Sequence, residues 1–240
     1  MMQKKMVKEY DELLKTFRRM FEMVDAIHFN SQNTADVFGL YVDVPKKSAV
    51  VSITHSGVSD HREQRKYDQS VLKLGFIGSE APYKGLPLLK RVIARLNKEG
   101  KSEKVVLNVY GGRTGVDEKL GNVSYCGRFG ASQMSAVYDS MDLLVVPSIW
   151  NETFGFTVIE AMQYGVPALV SSKVGAKDIV MKYAPRFVYT GEKELYDILY
   201  ELISDRTMLI NYNEKIVGSP WEMSMKKNSD DIVNLYKSLL

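Results

Sequence analysis

Between residues 71 and 205, short apolar runs rich in valine, leucine and isoleucine alternate with longer segments whose apolar residues recur at helical spacing. The runs predict strands over 71–78, 104–111, 122–129, 142–148, 167–172 and 186–190. The segments between them predict helices over 86–100, 132–141, 157–165, 176–184 and 192–205. Strands that are nearly continuous apolar runs and alternate with helices are typical of a parallel sheet covered on both faces. The predicted fold class is therefore α/β with a doubly wound parallel sheet, in which ligands bind at the carboxyl ends of the strands.

The residues on either side of this block carry weaker signals. A helix over residues 1–24 precedes a strand over 25–32, and Ser31 is a candidate N-cap for the helix that follows. A further strand is predicted over 48–54, and the polar, charged stretch 55–70 is the best linker candidate. The end of the chain predicts a terminal helix. We expect four parts, divided as residues 1–60, 61–70, 71–219 and 220–240.

The first helix carries an apolar stripe and most of the excess positive charge. Residues 1–19 hold six lysines and arginines against three acids, which accounts for the net charge of +3. The stripe consists of Met6, Tyr10, Leu13, Phe17, Met20 and Val24. Such a helix either touches anionic lipid or packs its stripe on its own domain. We favour packing on the domain, with at most peripheral contact with the inner face of a membrane.

Composition excludes several classes of protein. No run of about 18 apolar residues is present, and the charged first residues lack the apolar core of a signal peptide. The lone Cys126 excludes an internal disulfide framework, so a cytoplasmic location is expected. The sequence has no basic patch with interleaved aromatic residues of the kind that indicates nucleic-acid binding. We assign the three histidines, His28, His55 and His61, to surface or loop roles.

One loop combines two carboxylates with a glycine turn. After the run that ends at Pro147, Glu152 lies in a polar loop, and Glu160 follows eight residues later on a predicted helix. Free N–H groups at the helix start favour a phosphate, and Gly155 lets a ligand approach the backbone. Two carboxylates can accept hydrogen bonds from sugar hydroxyls. A glutamate near a helix N-terminus also stabilises any helix, so the pair alone is a weak signal.

The surrounding sequence resembles the glycosyltransferase group 1 family (family 4), retaining enzymes of the GT-B fold. Glu152 and Glu160 match its E-x7-E signature within PSIWNETFGFTVIEAMQYGVPALVSS, followed by VGAKDIV. LGFIGSEAPYKGLPLLKRVIARL looks like the family's opening strand and helix, with Lys84 at the diphosphate-binding position. LNVYGG, VSYCGRF and AVYDSMDLLVVPS follow in the family's order. The resemblance covers about residues 25–240 and implies the C-terminal, Rossmann-like lobe of a GT-B fold with a partial N-terminal lobe.

The resemblance implies roles for individual residues. Glu152, facing the donor hexose, and Lys84, neutralising the diphosphate, would be the catalytic residues. On sequence spacing alone, a solvated charge at a helix start is an equally good interpretation of Lys84. Glu160 would hold the ribose hydroxyls. The other donor-binding positions implied are Phe154, Gly155, Phe156, Thr157, Gly78, Ser79 and, in a looser assignment, Arg128.

The chain departs from the family pattern in two ways. An arginine that often follows the glycine of the opening strand is absent, because Ser79 and the adverse Glu80 follow Gly78. The first lobe is also short, since a lobe of this type takes roughly 100–150 residues and about 60 precede the linker.

Two hypotheses follow from this. The first is a retaining glycosyltransferase that uses a nucleotide sugar such as a UDP- or GDP-hexose and a glycan or lipid-linked acceptor. The second is a nucleotide-sugar-binding module that is inactive without a partner chain. We expect no metal, because no HExxH, paired Cys/His or Asp-x-Asp motif is present. We also expect a homodimer or a partner chain, because a fragmentary lobe exposes strand edges and apolar surface.

Overall fold

The strands predicted between residues 71 and 190 form one sheet in the computed structural model, which describes residues 2–239 and the side chains of residues 9–239. The helices are α1 Met2–Glu22, α2 Gln32–Gly39, α3 Leu86–Lys98, α4 Met134–Asp139, α5 Phe156–Met162, α6 Lys177–Tyr183, α7 Glu192–Ser204, α8 Thr207–Gly218 and α9 Met225–Leu239. The strands are β1 His28–Phe29, β2 Ala49–Val50, β3 Leu72–Ile77, β4 Val105–Tyr110, β5 Thr114–Val116, β6 Val123–Gly127, β7 Leu143–Val146, β8 Ala168–Ser171 and β9 Val188–Tyr189.

The large sheet has the strand order β5-β6-β4-β3-β7-β8-β9, and every neighbouring pair except β5–β6 is parallel. Without the edge strand β5, this is the doubly wound strand order. The chain adds β4 and β6 on one side of β3 and then adds β7, β8 and β9 on the other side. Leu72, Leu74 and Phe76 of β3 are buried, and so is Gly75 between them, because helices cover both faces. The predicted α/β fold class is confirmed.

Several elements differ from the sequence prediction. The antiparallel edge strand β5 has three exposed residues and therefore no apolar pattern to reveal it. Helix α8 lies in a stretch for which no element was predicted, and it buries Leu209, Tyr212 and Ile216. The predicted helix over 132–141 begins with a 3₁₀ turn, Ala131–Gln133.

The residues before the large sheet form a small second unit. β1 and β2 pair in parallel and contain two residues each, far fewer than predicted. Between them lies α2, and Ser31 is its N-cap, because the Ser31 hydroxyl accepts a hydrogen bond from the N–H of Thr34. This cap was predicted correctly.

Helix α1 does not pack its apolar stripe on the domain, so the expectation that we favoured is wrong. Tyr10, Leu13, Phe17 and Met20 are 53%, 54%, 45% and 42% exposed. The helix is attached through another face instead, where the rings of Phe21 and Phe38 meet edge-to-face. The described side chains do not include Met6 of the predicted stripe or the basic residues Lys4, Lys5 and Lys8.

The segment 51–70 joins the two units without forming a helix or strand, and it is hydrogen-bonded along its length. The backbone N–H of His61 donates to the carbonyl of Gln163 at 2.9 Å. The guanidinium of Arg65 donates to the carbonyls of Asp139 and Met141 at 3.1 and 2.8 Å. The hydroxyl of Thr54 donates to the carbonyl of Met223, which precedes α9. The segment therefore holds fixed positions beside the large sheet.

Candidate functional site

The loops after β3 and β7 meet at the carboxyl edge of the sheet, where the strand order reverses. After β3 the chain forms a 3₁₀ turn, Pro82–Lys84. The carbonyl of Tyr83 accepts hydrogen bonds from Ile149 N–H at 2.9 Å and from the Ser148 hydroxyl at 3.1 Å. Gly85 has φ +81°, and a Cβ there would lie 1.7 Å from the carbonyl oxygen of Pro147. The glycine therefore lets the turn lie directly against the end of β7.

Lys84 and Glu152, predicted from different parts of the sequence, are in contact at this point. Lys84 Nζ lies 2.9 Å from Glu152 Oε1, and the two side chains are 34% and 13% exposed. The backbone of Glu152 is fixed by its N–H to the carbonyl of Lys173 at 2.9 Å and by its carbonyl to the N–H of Gly175 at 3.1 Å. An ammonium and a carboxylate thus face each other across the switch point.

The turn after Glu152 requires glycine. Gly155 has φ +109° and caps the start of α5, and a Cβ there would lie 2.9 Å from Val174 Cγ1. Phe154 is buried, whereas Phe156 is 39% exposed at the helix start, where Thr157 follows it. The first turn of α5 therefore presents its backbone beside the Lys84–Glu152 pair.

Glu160 lies one turn further along α5 and is held by two neighbours. The buried Tyr138 donates its hydroxyl hydrogen to Glu160 Oε2 at 3.0 Å, and His55 Nε2 lies 3.2 Å from Glu160 Oε1. Burial and the nearby Glu160 carboxylate raise the pKa of Tyr138, so its hydroxyl remains a donor. Tyr164 stacks on the Tyr138 ring with centroids 5.6 Å apart. These contacts fix the carboxylate while leaving further acceptor positions on its oxygens.

Sequence reasoning missed both partners of Glu160. His55, for which the sequence predicts a surface or loop role, lies in the loop segment 51–70, but its ring contacts Glu160 and lies 5.2 Å from the ring of Phe156. No motif surrounds it, and 105 residues separate it from Glu160 along the chain. Tyr138 has the spacing of a core aromatic on a helix, so the sequence held no signal for its contact with a carboxylate.

The remaining predicted residues follow strands at the same edge. Gly78 follows β3, and its N–H donates to the carbonyl of Tyr110 at 3.0 Å. Ser79 follows Gly78 and Arg128 follows β6; both are exposed. Among the contacts of the described side chains, none joins Ser79 or Arg128 to the Lys84–Glu152 pair, so the topology places them at the same edge of the sheet without contact to the pair.

Glu80, the adverse charge beside Gly78, has a cationic neighbour. Arg113 Nε lies 3.4 Å from Glu80 Oε2, and the Arg113 guanidinium also lies 3.9 Å from the centroid of the Tyr125 ring. The negative charge at position 80 is therefore partly offset by an arginine from the loop after β4.

The site combines one ammonium, two carboxylates and a glycine turn at a helix start. Such a set can bind an anion and several hydroxyl groups at once. Within residues 9–239, no three His, Cys, Asp or Glu side chains converge as a metal-ligand set. No helix within residues 2–239 has both the length and the apolar composition needed to cross a bilayer.

Comparison with known proteins identifies relatives of this chain. The family model described as "Glycosyl transferases group 1" matches residues 71–205. D-inositol 3-phosphate glycosyltransferase of Corynebacterium jeikeium is 26% identical over 183 residues, 69% of this chain and 43% of that protein. An uncharacterized glycosyltransferase of Methanocaldococcus jannaschii, MJ1607, is 26% identical over 174 residues, 68% of this chain and 44% of that protein. The chain thus spans about half the length of the curated relatives it matches.

Solved structures show the same fold. HepE from Anabaena, in complex with UDP and glucose, superposes with a TM-score of 0.70 at 16% identity, over 94% of this chain and 66% of that one. Sucrose-phosphate synthase from Thermosynechococcus elongatus gives 0.67 at 17% identity, over 95% and 62% of the two chains. The large sheet is thus a Rossmann-like lobe of the GT-B fold. The family match spans its strands and the site at their carboxyl edge, and the chain belongs to the group 1 glycosyl transferases.

Proposed function

We propose that the carboxyl edge of the sheet binds a nucleotide-diphosphate hexose, such as a UDP- or GDP-hexose, as the donor of a glycosyl transfer. The observation that carries the proposal is the 2.9 Å contact between Lys84 and Glu152 across the switch point. It puts a cation for a diphosphate beside a carboxylate for a sugar, at the position where sheets of this topology bind ligands. The neighbour HepE was solved with UDP-glucose as well as with UDP and glucose, which supports this donor class.

Each group of the site meets one part of the donor in this proposal. The Glu160 carboxylate, fixed by Tyr138, accepts hydrogen bonds from the ribose hydroxyls. Glu152 accepts hydrogen bonds from hexose hydroxyls. The backbone of Phe154, Gly155 and Phe156, with Thr157 behind it, meets the sugar and the diphosphate. Gly78, Ser79 and Arg128 line the same edge from the loops after β3 and β6.

The chemistry asked of the site is electrostatic. As the bond between the sugar C1 and the phosphate oxygen breaks, its electron pair moves to that oxygen, and the ammonium of Lys84 stabilises the charge that develops there. In the family that the chain resembles, the leaving phosphate helps to activate the acceptor, and the product retains the configuration of the donor. Glu152 and Glu160 then act as binding groups, and Lys84 and the start of α5 replace a metal ion.

The acceptor in this proposal is a glycan or a lipid-linked sugar of a polysaccharide pathway. Support comes from the structural neighbour WaaG, described as a glycosyltransferase involved in lipopolysaccharide biosynthesis, which superposes with a TM-score of 0.63 over 86% of this chain.

The alternative that we propose is a module that binds the nucleotide sugar without turning it over. This binding module uses the same donor contacts as the enzyme, and the two functions differ only in turnover.

Calorimetric titration of the chain with UDP, GDP, UDP-glucose and GDP-mannose tests the donor site. We expect one nucleotide series to bind, and Glu160→Ala to weaken that binding by about 1–3 kcal/mol through lost hydrogen bonds to the ribose. The matched control is Glu214→Ala, an exposed glutamate on α8, which should bind as the unaltered chain does.

Turnover of the bound sugar, measured as free nucleoside diphosphate, separates the two functions. If the unaltered chain releases nucleoside diphosphate and the Lys84→Gln variant does not, the transferase is supported. If the chain binds the nucleotide sugar and releases no diphosphate, the binding module is supported. If none of the four nucleotides binds, the donor site is not functional in this chain and both functions are rejected.

A further inference from the structure

The segment that joins the small unit to the large sheet supplies one side chain to the candidate site. His55, within segment 51–70, lies against two residues of α5. Its Nε2 is 3.2 Å from Glu160 Oε1, and its ring meets the Phe156 ring edge-to-face with centroids 5.2 Å apart. Phe156 and Glu160 are four residues apart, so they share one face of α5. His55 therefore covers the face of the helix that carries both of these predicted donor-binding residues.

The hydrogen bonds of the His55 ring fix which nitrogen carries the proton. The backbone N–H of Gly57 donates to His55 Nδ1 at 3.1 Å. A ring nitrogen that accepts a hydrogen bond carries no proton, so the ring proton lies on Nε2. The Nε2–H group is therefore the donor toward Glu160 Oε1. The turn at residues 55–57 thus selects the tautomer that can hold a carboxylate.

Glu160 thereby receives one hydrogen bond on each carboxylate oxygen. Oε1 accepts from His55 Nε2–H at 3.2 Å, and Oε2 accepts from the Tyr138 hydroxyl at 3.0 Å. The last torsion of a glutamate side chain has only a broad preference, so one donor leaves the carboxylate plane free to turn. Donors on both oxygens fix that plane. The Glu160 side chain is still 17% exposed, so a ligand can reach the carboxylate.

We propose that His55 is a positioning residue for Glu160 and that it sets the preference of the donor site for ribose over 2′-deoxyribose. The inference rests on the proposed function, in which Glu160 accepts hydrogen bonds from the ribose hydroxyls. A carboxylate with a fixed plane meets the 2′- and 3′-hydroxyls together, and a nucleotide without the 2′-hydroxyl leaves one of these hydrogen bonds unmade. When the plane turns, the second hydrogen bond forms only part of the time, and the two sugars bind more alike.

A packing role alone predicts a different result. If His55 only held segment 51–70 against α5, its loss would lower stability or weaken the binding of both sugars by the same factor. The ratio of the two affinities would then stay constant. Because the His55 side chain is 35% exposed, it buries little apolar surface for such a role. The affinity ratio therefore separates positioning from packing.

Calorimetric titration of the full chain with UDP and 2′-deoxy-UDP, or with the GDP pair if the chain binds guanine nucleotides, measures this ratio. We expect the unaltered chain to prefer the ribonucleotide by about tenfold. His55→Phe keeps a ring beside Phe156 but has no donor, and it should reduce the preference to about threefold or less. His55→Gln, whose amide N–H can replace Nε2–H, should keep most of the preference. The matched control is His61→Phe in the same segment, because a phenylalanine there keeps the ring stack on Tyr164.

Two further measurements show whether His55 acts through Glu160. In a Glu160→Ala background, His55→Phe should change neither affinity any further, because the carboxylate that it positions is gone. In the unliganded chain, nitrogen-15 spectra of the three histidine side chains at about pH 8 should show the His55 proton on Nε2. The His55→Phe variant identifies that signal by its loss.

The inference is overturned if His55→Phe keeps the ribose preference, if His55→Gln loses as much of it as His55→Phe, or if the unliganded chain carries the proton on Nδ1. It is equally overturned if the unaltered chain binds both sugars alike. In each of these cases nucleotide binding itself survives, so the proposed function stands. If no nucleotide binds to the unaltered chain, the proposed function fails, and the specificity role of His55 fails with it.

Discussion

Asp117, beside β5, is a buried carboxylate whose replacement by asparagine should destabilise the protein. The residue is 7% exposed, and its Oδ2 lies 2.5 Å from Lys90 Nζ and 3.1 Å from the Tyr125 hydroxyl. Its Oδ1 accepts hydrogen bonds from the N–H groups of Lys119 and Leu120, each at 3.1 Å. Burial opposes ionisation, but the hydrogen bonds from Lys90, Lys119 and Tyr125 outweigh it and lower the pKa of Asp117 from 3.8 to about 2.

The lowered pKa sets the size and the pH range of the effect. One pKa unit corresponds to about 1.36 kcal/mol, so a fall from 3.8 to about 2 stabilises the folded chain by roughly 2 kcal/mol at neutral pH. Because the folded pKa is the lower one, this stability is present above pH 3.8 and is lost as the pH falls towards 2. Asp117→Asn should therefore lower the free energy of unfolding by about 2 kcal/mol at pH 7.

Urea unfolding of both proteins at pH 7, 5, 4 and 3 measures the difference, and urea does not screen the charges as guanidinium does. The matched control is Asp197→Asn, which removes the exposed Lys193–Asp197 pair on α7 and should cost under about 0.5 kcal/mol. The reasoning is refuted if Asp117→Asn costs no more than the control at pH 7. It is equally refuted if the cost stays constant between pH 5 and pH 3.

Two further substitutions test the geometry of the site. Tyr138→Phe should weaken nucleotide-sugar binding about twofold to tenfold by calorimetry, because Glu160 loses a hydrogen bond that positions it. The control is Tyr164→Phe, which keeps the ring stack and should change the binding little; equal losses in the two variants would contradict a positioning role for Tyr138. Gly155→Ala should cost about 1–3 kcal/mol in urea unfolding, because φ is +109° and the new Cβ meets Val174. The control is Gly121→Ala, where φ is not positive and no atom lies within 4 Å of the new Cβ; a similar cost in both variants would show that the turn is not strained.

The large sheet could be predicted because its information is local. Each buried strand is a near-continuous apolar run, and each covering helix repeats its apolar residues at helical spacing. The same local signals give the loop of Glu152, the turn at Gly155 and the helix of Glu160. Their binding roles remain predictions.

Other features depend on contacts between distant parts of the chain. The hydrogen bond between Tyr138 and Glu160 and the contact of His55 with Glu160 arise only when α4, α5 and segment 51–70 come together. Strand β5 exists because β6 offers it a backbone edge, and none of its residues is buried. The exposure of the apolar stripe on α1 could not be read from its spacing either, since an inward and an outward stripe have the same period.

The contact between the small unit and the site loop uses main-chain acceptors. Asn33 donates to the carbonyls of Glu152 and Lys173 at 3.0 and 3.1 Å, and the hydroxyls of Ser31 and Thr34 donate to the carbonyl of Thr153. A main-chain carbonyl stays in place whichever side chain its residue carries. Position 152 can therefore change its carboxylate without removing an acceptor of α2, and position 33 can lose its amide without changing the charge of either glutamate. Attachment of the small unit and the charge of the site are thus open to separate change, by mutation in the laboratory or in evolution.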